Sequence, residues 1–269
     1  MNKKVVSDLF SIVRQQNPLV HHITNVVTIN DCANVTLAIG ASPVMATSVE
    51  EVEEMVQLAN ALVLNIGTIQ QETFSAMLLA GKVANEKGIP VVLDPVGVGA
   101  TSFRKRVAQE LLLQVKVSVI RGNASEVESL IGGQGITRGV DSGDVSMDRE
   151  ELAEQAARLF SCIVVVSGKE DIVSNGVKTV LIKNGDIWLT NVTGTGCMTT
   201  SLIGCFAGVT DDYFAASIAG MSVMSLAGER AKKYLPEGAG IGHFKVRVID
   251  EIFGMNEVTW GKEVAIVET

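Results

Sequence analysis

Asn191-Val192-Thr193-Gly194-Thr195-Gly196-Cys197 sets two glycines and a thiol at the mouth of a long uncharged stretch. Glycine lets the backbone turn tightly and brings its N–H groups close to a ligand. A helix starting there would add its unpaired first-turn N–H groups and its positive dipole end, a combination suited to phosphate. A thiolate would be stabilised in the same field, so Cys197 is a candidate base or an orienting group for a substrate hydroxyl. The plainer reading is a small buried hydrophobe. The pattern G-x-x-x-x-G-K-[ST] is absent, so this is not a Walker A loop.

Other polar groups fall where strands are expected to end, which is where open parallel sheets bind ligands. Asp94 precedes Pro95-Val96-Gly97-Val98-Gly99 and is placed to meet a metal-bound phosphate or a substrate hydroxyl, if it does not simply cap a turn. Arg121 matches phosphate oxygens. Asn123 and Glu126 have capping-box spacing, while Glu126 is also positioned to reach magnesium through water. Asn65 ends a further apolar run. Ser167 in Ser167-Gly168-Lys169 is a candidate nucleotide-phosphate contact, and Asn25, after His21-His22-Ile23-Thr24, can both donate and accept. His21 and His22 would point to opposite faces of a strand, with no metal partner nearby. Met45 is either core or a thioether packed on a flat aromatic ligand.

The elements that must position these groups alternate. Residues 61–66, 89–93, 117–120 and 162–166 read as strands, separated by helices. Ser48 with Glu51 and Thr68 with Gln71 have capping-box spacing, and Phe103–Gln114, 123–131 and the stretch through Leu152, Ala156 and Phe160 are helical. A glycine-rich loop occupies 132–144. The runs 171–174, 177–182 and 187–190 are divided by Asn175-Gly176 and Asn184-Gly185, hairpin signals that give a mainly parallel sheet an antiparallel edge. From 197 to 235 the chain is helical. The expected architecture is an α/β sheet with helices on both faces, in one domain spanning 1–269.

Composition bounds the partners. The 269 residues are 47% apolar but only 4% aromatic, so the core is aliphatic. A formal charge of −8 argues against non-specific nucleic-acid or anionic-membrane binding. Four scattered cysteines lack tight metal-ligand spacing, and the N-terminus has no apolar signal stretch, which points to the cytoplasm. The uncharged segments 192–209 and 213–228 are rich in Gly, Ser, Thr and Ala, which fits a buried helix pair better than membrane spans.

The motifs HHITNVV at 21–27, SPVMA at 42–46, LNIGT at 64–68, LDPVGVGAT at 93–101, RGNASE at 121–126, VVSGKEDIVSNG at 165–176 and NVTGTGC at 191–197 together resemble the hydroxyethylthiazole kinase family of the ribokinase-like superfamily. The resemblance covers residues 20–249. It implies transfer of the ATP γ-phosphate, with Mg2+, to the primary hydroxyl of 4-methyl-5-(2-hydroxyethyl)thiazole. By position it makes Met45 and Gly194, joined by Asn25, thiazole contacts. Arg121 and Ser167 become ATP contacts, Asp94 and Glu126 the magnesium and phosphate-side acids, and Cys197 the occupant of the catalytic-base position. Sugar kinases of the superfamily commonly carry aspartate there. The resemblance also implies a homotrimer with sites at subunit interfaces. Three alternatives stay open: a kinase of another heteroaromatic alcohol such as a hydroxymethylpyrimidine, a thiol-dependent hydrolase, and a non-catalytic nucleotide sensor.

Overall fold

A computed structural model describes residues 2–132 and 148–269; most of the expected 132–144 loop lies outside them. The chain runs α1 (Lys3–Gln16), β1 (Leu19–Ile23), α2 (Ile29–Ile39), β2 (Ser42–Val44), α3 (Val52–Leu58), β3 (Ala61–Asn65), α4 (Gln71–Lys87), β4 (Val91–Asp94), α5 (Ser102–Gln114), β5 (Val119–Asn123), α6 (Ala124–Leu130) and α7 (Arg149–Phe160). It continues with β6 (Ile163–Ser167), β7 (Asp171–Ser174), β8 (Thr179–Ile182), a 3-10 turn (Ile187–Asn191), α8 (Thr195–Ala207), α9 (Tyr213–Lys233), α10 (Ile241–Gly254), α11 (Glu257–Glu263) and β9 (Ile266–Glu268).

The nine strands of the described residues share one sheet in the order β2-β1-β3-β4-β5-β6-β7-β8-β9. Pairing is parallel from β2 to β6 and antiparallel from β6 to β9. Alternation along the strands builds two cores. Ala61, Val63, Val92, Val119 and Val165 face the layer containing α1, α2, α8 and α9, while Leu62, Leu64, Leu93, Ile120 and Val164 face α4, α5 and α7. Coverage of both faces explains why the strands read as continuous apolar runs. Between β1 and β3 the winding reverses, since β1 has β2 on one side and β3 on the other. The crevice of such a sheet opens at that reversal.

α8 and α9 form the expected buried pair, and they separate over 208–212. Among the described residues no helix is long and apolar enough to cross a membrane.

Three local expectations are corrected. Asn175-Gly176 does sit in a hairpin, between β7 and β8, but residues 187–190 form a 3-10 turn rather than a strand. The buried Asn184 amide is drawn into tertiary bonds, donating to Glu229 and the Glu263 carbonyl and accepting from Ala265 N–H, while Asp186 caps the turn at Trp188 N–H. The strand beside β8 is instead the C-terminal β9. Neither Ser48 nor Thr68 caps a helix: Ser48 accepts from Glu50 N–H at 3.3 Å, and the Thr68 hydroxyl accepts from Val26 N–H at 3.1 Å. Asn123 and Glu126 form the complete capping box of α6.

Candidate active site

The C-terminal ends of the parallel strands and the N-terminus of α8 meet at one rim. Gly194 is the N-cap of α8, with φ +87°, and no side chain caps the helix. A Cβ on Gly194 would lie 2.4 Å from Thr28 Cγ2, so both the dihedral and the close approach require glycine. The first-turn N–H groups of α8 have no intrahelical acceptor and face the rim with the positive end of the helix dipole.

Cys197 is in that first turn, and its Sγ lies 3.2 Å from Nδ2 of both Asn25 and Asn65. Those amides come from the two sides of the winding reversal, after β1 and at the end of β3. They are tied to each other, Asn25 Nδ2 donating to Asn65 Oδ1 at 3.0 Å. Asn65 Nδ2 also donates to Asp94 Oδ2 at 2.9 Å, and Thr200 Oγ1 donates to the same oxygen at 2.8 Å. Asn25 Oδ1 accepts from Val27 N–H, Thr28 N–H and the Thr28 hydroxyl. An amide nitrogen has two hydrogens, and those of Asn25 point to Asn65 Oδ1 and Cys197 Sγ. Asn25 thereby holds Cys197 and the 26–28 turn.

Burial works against the stabilised thiolate expected from the helix position of Cys197. Burial pushes its pKa up, and the Asp94 charge adds to that. Hydrogen bonds from Thr28 and Asn65 and the Arg121 charge pull in the opposite direction but do not prevail. Among the described residues no histidine is a hydrogen-bond partner of the sulfur. His21 Nε2 donates to the Ala46 carbonyl at 2.8 Å and His22 Nδ1 to the Val20 carbonyl at 3.0 Å. Burial lowers both pKa values, that of His22 to about 4. A cysteine–histidine pair is therefore not assembled.

Asp94 is fully buried, and its Oδ1 has no hydrogen-bond partner. Burial raises its pKa against the pull of Arg121, Thr200 and Asn65. Beside it, Glu126 accepts from Gly97 N–H and Asn123 N–H, each at 2.8 Å. Burial first, then the Asp94 charge, push its pKa up to about 7. Both oxygens of Glu126 are thus occupied by the backbone, and the bare carboxylate atom is Asp94 Oδ1. A hard divalent cation suits this arrangement, because such ions accept few protein oxygens and retain water and phosphate ligands. Among the described residues no group of three or more His, Cys, Asp or Glu side chains is placed to hold a metal by itself.

Arg121 projects from β5. Its Nη2 donates to Ser167 Oγ at 2.6 Å, and its Nε is buried without a partner. A Cβ on Gly196 would fall 2.3 Å from Arg121 Nη1, so the guanidinium lies directly against the α8 turn. It makes no carboxylate salt bridge among the described residues. A guanidinium at an open helix N-terminus is an anion site. Met45 is half-buried just past β2 on the same rim. Asn65 was visible in the sequence only as a polar strand end. Thr200 was missed, although its position three residues after Cys197 puts both on one helix face.

The open doubly wound sheet, the open helix turn and the paired acids define a ribokinase-like phosphotransferase fold. A ribokinase-like superfamily protein from Enterococcus faecalis V583 shares it, with a TM-score of 0.65 over 96% of each chain at 10% identity. Residues 10–257 match the hydroxyethylthiazole kinase family, and the chain belongs to that family. It is 46% identical, over 98% of each chain, to the hydroxyethylthiazole kinase of Ruminiclostridium cellulolyticum. The solved structure of the hydroxyethylthiazole kinase protein from Pyrococcus horikoshii OT3 superposes with a TM-score of 0.89 and 39% identity, covering 99% of each chain.

Proposed function

We propose that this chain is a single-domain kinase that transfers the γ-phosphate of ATP to the primary hydroxyl of 4-methyl-5-(2-hydroxyethyl)thiazole in thiamine salvage. One observation carries the reading: an uncapped helix turn brings Cys197, Asp94 and Arg121 to a single point. Membership of the family supports the choice of alcohol.

In this reading Arg121 and Ser167 bind ATP phosphates, and the α8 turn receives the transferring group. Mg2+, when bound, neutralises phosphate charge; Asp94 Oδ1 would hold it directly and Glu126 through water. Met45 and Gly194 line the thiazole side. The hydroxyl oxygen forms a bond to the γ-phosphorus as the bond to the bridging oxygen breaks and ADP leaves, and the hydroxyl proton passes to an oxygen of the transferred phosphoryl group and on to solvent. Bond breaking leads attack in such transfers, so the hydroxyl keeps its proton until late and placement outweighs basicity. A thiol whose pKa is raised therefore orients the hydroxyl rather than abstracting its proton.

The exposed Val26 and Val27 beside Asn25 give the site an apolar rim. We read this rim as the contact of a homotrimer whose sites lie at subunit interfaces, with the enzyme acting in the cytoplasm. Purified protein with ATP and Mg2+ is expected to release one ADP per phosphorylated thiazole alcohol. Preference for a hydroxymethylpyrimidine would reassign the substrate, and ATP binding without any phosphorylated alcohol would make the protein a sensor. Light scattering on the same sample reads the mass of the assembly.

A further inference from the structure

We infer that Asn65 is a positioning residue for phosphoryl transfer, a single amide that fixes the Cys197 thiol and the Asp94 carboxylate relative to each other. The inference rests on the kinase reading above. Cys197 serves the acceptor hydroxyl and Asp94 the nucleotide side. The two belong to different elements, α8 and β4, and no direct hydrogen bond joins them. Their shared partner is Asn65 Nδ2, 3.2 Å from the sulfur and 2.9 Å from Asp94 Oδ2.

The amide is itself held on every side. Asn65 Oδ1 accepts from Asn25 Nδ2 at 3.0 Å and from Gly67 N–H at 2.9 Å. A Cβ on Gly67 would approach that oxygen to 3.0 Å, so the following turn packs closely against it. The orientation is therefore determined: acceptor toward Asn25 and Gly67, donors toward sulfur and carboxylate. Asn65 is 2% exposed, which leaves it no surface for a substrate.

The consequence for Asp94 is specific. Asn65 and the Thr200 hydroxyl together occupy Oδ2, leaving Oδ1 as the carboxylate atom without a partner. Without the Asn65 donor the carboxylate is held at Oδ2 by Thr200 alone, and the direction of the bare atom is less tightly fixed. The thiol loses one of its two amide donors at the same moment. Both reacting sides of the transfer would shift together, and a displacement of about 1 Å costs on the order of 100-fold in rate.

The test is a double-mutant cycle on the purified full chain, using Asn65→Asp, Cys197→Ala and the double variant. Asn65→Asp keeps the shape and the acceptor for Gly67 while removing both donors. Steady-state kinetics are read with ATP, Mg2+ and the thiazole alcohol. The expected result is a fall in kcat of about 10- to 100-fold, with KM for both substrates held within about threefold because neither touches Asn65. In the Cys197→Ala background the same replacement should cost several-fold less, since part of its effect runs through the sulfur. An unchanged kcat, a loss confined to KM, or full additivity with Cys197→Ala overturns the inference. If Asn65→Asp does not fold, as judged by its thermal melt, Asn65→Ser takes its place with the same expected and overturning results. Failure of the kinase reading is seen separately, as absence of phosphorylated alcohol from the unmodified chain.

Discussion

Two helices begin at the same rim, and they end their backbones in opposite ways. At the start of α6, Asn123 and Glu126 close a capping box, and the remaining Glu126 oxygen is taken by Gly97 N–H. At the start of α8 no side chain caps the helix, glycine stands at the N-cap, and the nearest cation is a guanidinium whose Nε lacks a partner. The carboxylates repeat the contrast. Asp171 is saturated by Gly168 N–H and the Ser225 hydroxyl, whereas Asp94 keeps one buried oxygen bare. Buried polar groups without partners are costly. Asp94 Oδ1 and Arg121 Nε are two such atoms beside α8, the side on which the proposed charged ligand would bind.

The largest effect should come from forcing the open helix end out of shape. Gly194→Ala places a Cβ against Thr28 at a positive φ. Activity is expected to fall by at least about 1000-fold, since several phosphate donors are displaced at once. A local strain of about 1–3 kcal/mol should show in the thermal melt. Wild-type turnover in this variant would break the contrast outright. Arg121→Ala comes next, with kcat/KM for ATP reduced by about 100-fold and the KM for thiazole alcohol retained. Equal weakening of both substrates would mean that Arg121 supports the fold rather than the nucleotide.

Cys197 separates placement from basicity. Loss of a general base costs about 100- to 10,000-fold, and loss of an orienting group costs less. With the thiol pKa raised by burial, Cys197→Ala should lose only about tenfold in kcat. Cys197→Asp should match or exceed the parent, because the Asn25 and Asn65 amides already point N–H groups at that position. A drop of 1000-fold or more in the alanine variant would restore the base assignment.

The smallest effect belongs to the saturated side. Burial raises the Asp171 pKa from 3.8 to about 6. The folded state thus favours its protonated form. That stabilisation is complete below about pH 4 and is lost as pH rises to about 6. Relative to the parent, Asp171→Asn should gain a few °C of melting temperature across that interval and run parallel above it. A pH-independent difference between the two melts would contradict the assignment.

The glycine turn, Asp94, Arg121 and the Asn123–Glu126 box were legible because each is a local pattern of a few residues. The capping spacings at Ser48 and Thr68 were equally legible and did not form. Thr68 is instead bonded to Val26, 42 residues away in sequence. Distance also hid the network behind the site. Asn65 reaches Cys197 across 132 residues, and Thr200 reaches Asp94 across 106. The expected strand at 187–190 failed for a similar reason, since β8 is paired by β9 from the far end of the chain.

The sequence by itself determined an aliphatic two-faced sheet, its antiparallel edge and a glycine turn with a thiol, because propensity and periodicity act over neighbouring residues. Only the tertiary structure decided that burial works against the Cys197 thiolate, that Asn25 and Asn65 both reach the sulfur, and that one Asp94 oxygen is bare. Those outcomes depend on burial and on which distant donors arrive. No local pattern encodes them, because the winding reversal between β1 and β3 is what brings Asn25 and Asn65 together over Cys197.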